Sequence, residues 1–272
     1  MPTTFRLLDA AGQLIQLLEV PRSWDEVSMG RFIAAYAPEV PAEADEAGQP
    51  DEAAAEPTLV EVLLGCPAGA LDTLSTTQAQ QLSGHLGFVL DLDHVLSQVP
   101  APDSVPQVNS LSFGSLLISQ QHIQAHEGRA WPAYAPYVLA IYRTEEAWGS
   151  FNEKRAQRYL AGMLEAPVTE NLAACQQVLD QLQALAEQYQ PEPEDEVELT
   201  DAEYEAGSEE FSQRFAGLLP LDGAAGGVVT NYEAVLKQDA ATVLAKLAMD
   251  GARAALHRRV HKYQEKAHSN NY

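Results

Sequence analysis

Two histidine pairs are the first residues in this sequence whose spacing suggests chemistry. His122 and His126 are four apart, and so are His257 and His261. On a helix that spacing puts both imidazoles on one face, where they can grip Zn²⁺. The surroundings argue against it. HIQAHE lacks the glutamate directly after the first histidine that a zinc-hydrolase helix carries. The second pair lies among Arg258, Arg259 and Lys262, whose charges repel a metal ion. Asp91, Asp93 and His94 make a third cluster with metal or general acid–base character. Within one helix, though, positions two apart point away from each other. The pairs therefore read as surface or interface histidines, and the aspartates as a helix end. A metal-dependent hydrolase using Asp91, His94, His122 and His126 stands as a third functional reading, without a ligand set that leaves an open position.

Other chemical signatures are missing from the sequence. The cluster GAAGGVV at 223–229 has neither a phosphate-loop ending nor the strand–turn–helix setting of a dinucleotide fingerprint, and reads as a flexible turn. There is no GxSxG elbow. Cys66 and Cys175 are far apart and form no CxxC pair, which fits small thiols in a reducing compartment. The expectation is a protein that is not an enzyme, with no catalytic residue, no bound metal and no cofactor.

The elements that would position a binding surface are mainly helical. TFRLLD and QLIQLLEV flank Ala-Ala-Gly and predict a β-hairpin over residues 3–20, closed by Pro21. Ser28 predicts the start of a helix to about Ala37, with Phe32, Ile33 and Tyr36 on one face and Trp24 packed back over its first turn as a buried anchor, a core reading that stands beside its reading as a partner contact. Thr58 predicts a short helix stopped by Gly65 and Pro67. Thr76 or Thr77 caps the next one, running through Leu92 with Leu82, Leu86, Val89 and Leu90 on its apolar face. Further helices are expected from Ser112 to Gly128, from Pro132 or Pro136 to Trp148, over 151–165, over 169–189 with Thr169 as cap, and from Tyr232 to Lys266, with Gly251 as a break in the last. No repeat with a period of 20 to 50 residues is visible, which argues against a solenoid.

Charge is unevenly spread. The net charge is −23, and 18 of the 39 acidic residues lie in 39–56 and 187–210, which hold no basic residue. These Pro- and Glu-rich stretches lack apolar periodicity and predict two acidic flexible segments. A chain this acidic repels phosphate backbones, so nucleic acid is not an expected partner. No apolar run is long enough for a membrane span, and the N-terminus lacks the pattern of a signal peptide, so a cytoplasmic protein is expected. The expected layout is a hairpin plus helix at 1–37, an acidic linker at 38–56, a central helical domain at 57–189, an acidic linker at 190–210, and a C-terminal helical segment with a basic tail at 211–272. In that tail Arg253, Arg258, Arg259, Lys262 and Lys266 reverse the charge of the rest. They suit a helix C-terminus, and equally a docking segment for an acidic partner.

Three segments carry a resemblance. VPRSWDEVSMGRFIAAY resembles the opening of tail assembly chaperone-like proteins of phages and prophages, with a Pro, a Trp, a Ser or Thr and an aromatic in that order, here Pro21, Trp24, Ser28 and Phe32. LSFGSLLISQQHIQAHEG followed by APYVLAIYR is similar to their central pattern, and YLAGMLEAPVTENLAACQQVL to their next one. The matched parts cover roughly half the chain. The two acidic segments and the basic tail depart from the family pattern.

The resemblance implies a non-enzymatic phage protein of the host cytoplasm that holds the aggregation-prone tape measure protein before the tail tube forms around it. The alternative is a structural neck or tail component that stays in the virion, with the same helices forming a ring between copies. Trp24, Phe32 and Tyr36, with Arg253, Arg258, Arg259, Lys262 and Lys266, are the expected partner contacts.

Overall fold

A computed structural model describes residues 3–8, 14–21, 23–36, 58–86, 105–190 and 204–269. Within them the fold is mainly α, with one short antiparallel hairpin near the N-terminus. The first acidic segment, the Asp91–Asp93–His94 cluster and residues 191–203 of the second acidic segment lie outside the described residues.

The hairpin joins β1 (Thr3–Leu8) to β2 (Leu14–Val20), with Phe5 opposite Leu18 and a register irregularity between Leu7 and Leu8. Strand alternation sends Leu18 and Val20 inward and leaves Leu17 exposed. The helices are α1 (Met29–Tyr36), α2 (Leu59–Leu64), α3 (Thr76–His85), α4 (Phe113–Ala125), α5 (Ala135–Trp148), α6 (Glu153–Glu165), α7 (Val168–Gln188), α8 (Ser208–Phe215), α9 (Leu219–Ala225), α10 (Tyr232–Leu236) and α11 (Ala240–Ser269).

Local signals explain many of the boundaries. Thr58 caps α2 in a reciprocal box with Glu61, and Gly65 ends the helix in the left-handed conformation at φ 66°. Ser75, rather than Thr76 or Thr77, caps α3, because its hydroxyl is the one placed to accept from the Gln78 amide. Thr169 is not a cap. It falls inside the first turn of α7, and its hydroxyl donates to Asp25 at 2.7 Å. Gly223 lies within α9, and the turn expected of its cluster begins at Gly226, φ 68°. The long helix expected from Tyr232 is interrupted at Lys237–Asp239, and α11 then runs unbroken through Gly251.

The chain groups into two compact units that are discontinuous in sequence. One comprises residues 1–105, 123–144 and 152–178, the other 106–122, 145–151 and 179–272. This differs from the linear division of central domain and C-terminal segment, because pairings far apart in sequence define each unit. In the first unit α1 packs on α2 and α6, and α2 meets β2. In the second, α9 packs on α10 and α11.

Each unit contains the same local arrangement. In the first, a 3-10 turn (Trp24–Glu26) leads through Val27 and Ser28 into α1. The Met29 amide donates to Ala166 O at 2.9 Å, and the Val168 amide to Val27 O at 2.8 Å. In the second, a 3-10 turn (Val108–Ser110) leads through Leu111 and Ser112 into α4. The Phe113 amide donates to Gln238 O at 2.7 Å, and the Ala240 amide to Leu111 O at 2.8 Å. The starts of α1 and α7, and of α4 and α11, are thus each tied by one antiparallel bridge, Ser28–Pro167 and Ser112–Asp239. In both, the serine hydroxyl accepts from the amide three residues on, at 3.3 Å. The chain therefore contains an internal structural repeat, carried by VSMGRF and LSFGSL.

Glycine at the second helical position lets the bridged ends approach. A Cβ on Gly30 would lie 3.2 Å from Leu164 O, and one on Gly114 would lie 3.2 Å from Leu236 O. Alanine at either position is expected to cost about 1 kcal/mol net. Overpacking against backbone that can yield only by parting the bridge outweighs the gain in helix propensity. Gly162→Ala in α6, where nothing lies within 4 Å of the added carbon, should instead be neutral or stabilising. Urea denaturation of the three variants checks both signs.

Candidate partner-binding surface

The expected partner contacts fall in very different surroundings. Trp24 (7% exposed) and Phe32 (0%) pack against each other edge to face, with ring centroids 5.6 Å apart. They lie in the core of the first unit, which agrees with the reading of Trp24 as a buried anchor and corrects the expectation that the two are partner contacts. Trp24 stacks over the first turn of α1 because the 3-10 turn reverses the chain ahead of Ser28. Tyr36 closes α1, and its side chain lies outside the described residues. Arg253, Arg258 and Arg259 are exposed on α11, with Arg253 3.3 Å from Asp250. Lys262 and Lys266 are on the same helix, but their side chains are not among those described.

The candidate metal ligands are dispersed. His122 is half-buried on α4, and His126 follows the last residue of that helix. His257 and His261 are exposed on α11. Among the described residues, no group of three or more His, Cys, Asp or Glu side chains gathers as metal ligands would.

Two buried carboxylates serve the fold. Glu145 of α5 accepts from the Ser112 amide at 2.9 Å and from the Ser115 hydroxyl, placing an anion at the start of α4 where the helix dipole favours it. Glu61 accepts from the Thr58 amide (2.8 Å), the Thr58 hydroxyl (3.0 Å) and the Leu71 amide (3.1 Å). Burial alone would raise its carboxyl, but these hydrogen bonds together hold it below its ordinary range.

Both cysteines are buried. Burial, and then the nearby charge of Glu61, pushes the Cys66 thiol up, and burial pushes Cys175 up to about 12. Neither is a thiolate near neutral pH, so neither is poised as a nucleophile.

Exposed apolar side chains are the feature that sequence reasoning missed. Leu17, Trp148, Tyr159, Tyr204, Phe211, Leu218, Leu219, Val228, Val229, Met249, Leu256, Val260 and Tyr263 are the large ones exposed among the described residues. All but Leu17 and Tyr159 belong to the second unit. On α8, Phe211 lies 4.9 Å from Phe215, with the Arg214 guanidinium 5.4 Å from the Phe215 ring. On α11 the exposed set is Met249, Leu256, Val260 and Tyr263. Helical spacing was legible there, but which face the fold would leave uncovered was not.

No family model, curated protein or solved structure matches the chain. No helix among the described residues is long and apolar enough to cross a membrane.

Proposed function

We propose that this chain is a non-enzymatic protein-binding factor in phage tail morphogenesis, a tail assembly chaperone that holds the tape measure protein. The observation that carries this reading is the concentration of exposed large apolar side chains among the described residues of the second unit, where the described residues of the first expose only Leu17 and Tyr159. Exposed apolar surface on a strongly charged protein is what a holder of polypeptide needs: a face for the client's apolar stripe, and charge elsewhere to keep the complex dispersed. The order of the three resembling segments in the sequence supplies the tail-assembly context.

Co-expression with the tape measure protein tests it. The soluble fraction of that protein should rise severalfold, and the two should co-purify. An unchanged soluble fraction with no co-purification would overturn the reading. Mass spectrometry of purified particles separates the virion alternative. A chaperone is absent from them, whereas a neck or tail component is present at stoichiometric copy number.

A further inference from the structure

Past Asp250, the described side chains of α11 are mostly exposed. From Gly251 to Tyr263, Ala255 alone is buried among the described side chains. The exposed apolar residues here are 55% (Met249), 54% (Leu256), 44% (Val260) and 74% (Tyr263) exposed. Their spacing is seven, four and three. At about 100° per residue they fall within an arc of roughly 60°, along about 21 Å of helix. That is the geometry of a coiled-coil seam, with Met249, Leu256 and Tyr263 at one core position and Arg253 and Val260 at the other. The stripe is too narrow for a helix that lies in a lipid interface, which needs a broad apolar face.

We propose that the Met249–Tyr263 face of α11 is a docking seam for an acidic amphipathic helix of the client. The proposal rests on the client-binding reading above and adds the chemistry of the bound segment. Charge selects the occupant. Residues 251–269 carry Arg253, Arg258, Arg259, Lys262 and Lys266 against the single acidic Glu265, in a chain of net charge −23. Arg253 occupies the seam itself, and Arg259 borders it on one side. A second copy of α11 laid on this face would bring cation against cation. A partner helix with glutamates beside its apolar stripe would set carboxylates against this cationic flank, adding to the Arg253–Asp250 contact, and cover Leu256 and Val260.

The probe is a synthetic helix of about four heptads with leucine at the core positions and glutamate at the flanking ones, and its lysine counterpart. Each is titrated into the full chain and followed by fluorescence anisotropy. The acidic peptide should bind, more weakly as salt rises, and the basic one should not. Leu256→Asp with Val260→Asp should weaken binding by about 100-fold. Arg253→Glu with Arg259→Glu should weaken the acidic peptide about tenfold and admit the basic one. All four positions are exposed, so unchanged circular dichroism serves as the folding control.

Equal affinity for both peptides, binding of neither, dimerisation of the chain through Leu256 and Val260, or preference for phosphatidylserine vesicles would each overturn the proposal. Co-expression of the Leu256→Asp/Val260→Asp variant separates its failure from that of the chaperone reading. If that variant still holds the tape measure protein, the client docks elsewhere and only this proposal fails. If wild type does not hold it while the acidic peptide still binds, only the chaperone reading fails.

Discussion

Phe32→Ala is expected to destabilise the protein by about 3–5 kcal/mol, the largest effect of any single truncation considered. Phe32 is fully buried on α1 and meets Trp24 edge to face. Its loss removes the transfer energy of the ring, leaves a cavity in the first unit and ends the aromatic pair, itself about 0.5–1.5 kcal/mol beyond area burial. The same variant decides what the motif opening is for. If Phe32 were a partner contact, the alanine variant would fold normally and bind its client weakly. As a core anchor, it lowers the urea midpoint sharply. Circular dichroism through a urea titration distinguishes the two.

The second large effect is at Glu61. Glu61→Ala removes the capping box of α2 and the charged acceptor of the Thr58 and Leu71 amides, an expected loss of about 2–4 kcal/mol. The loss depends on pH. Because hydrogen bonding holds the folded carboxyl below its ordinary 4.5, the charged form is favoured by folding. The unfolded chain takes up this proton first as pH drops. The stability Glu61 contributes is therefore fully present above the ordinary value and drains away as pH falls through the lower, folded one. Wild type and Glu61→Gln should differ most near neutral pH, with the gap narrowing below pH 4.5. A gap that widens on acidification would contradict the assignment.

These residues also show what the sequence disclosed. The hairpin, the Thr58 and Ser28 helix starts and the Gly65 stop were legible because each is a local affair of a few residues: an alternating run, a hydroxyl in reach of an amide, a glycine free to take positive φ. The α3 start was misplaced by a residue, since Ser75, Thr76 and Thr77 are equally good caps in sequence and only geometry picks the one facing Gln78. The break at Lys237–Asp239 has no glycine or proline to announce it. It is imposed by the bridge to Ser112, well over a hundred residues earlier.

The internal repeat was hidden for a similar reason. VSMGRF and LSFGSL share only a pattern, and their bridged partners at Pro167 and Asp239 share less. Periods of a few tens of residues do not capture motifs this far apart. For the candidate surface, spacing alone put Trp24 and Phe32 beside the basic residues of α11, with a buried anchor as the other reading of Trp24. Burial separates them, because the 3-10 turn folds the tryptophan inward while Arg253, Arg258 and Arg259 stay exposed on α11.

Hydrogen exchange of the full chain, alone and saturated with the tape measure protein, tests the account at its centre. The account predicts that amides of α11 from Met249 to Tyr263 exchange quickly in the free chain and slow markedly in the complex. Exchange unchanged throughout the second unit at saturating client would contradict it.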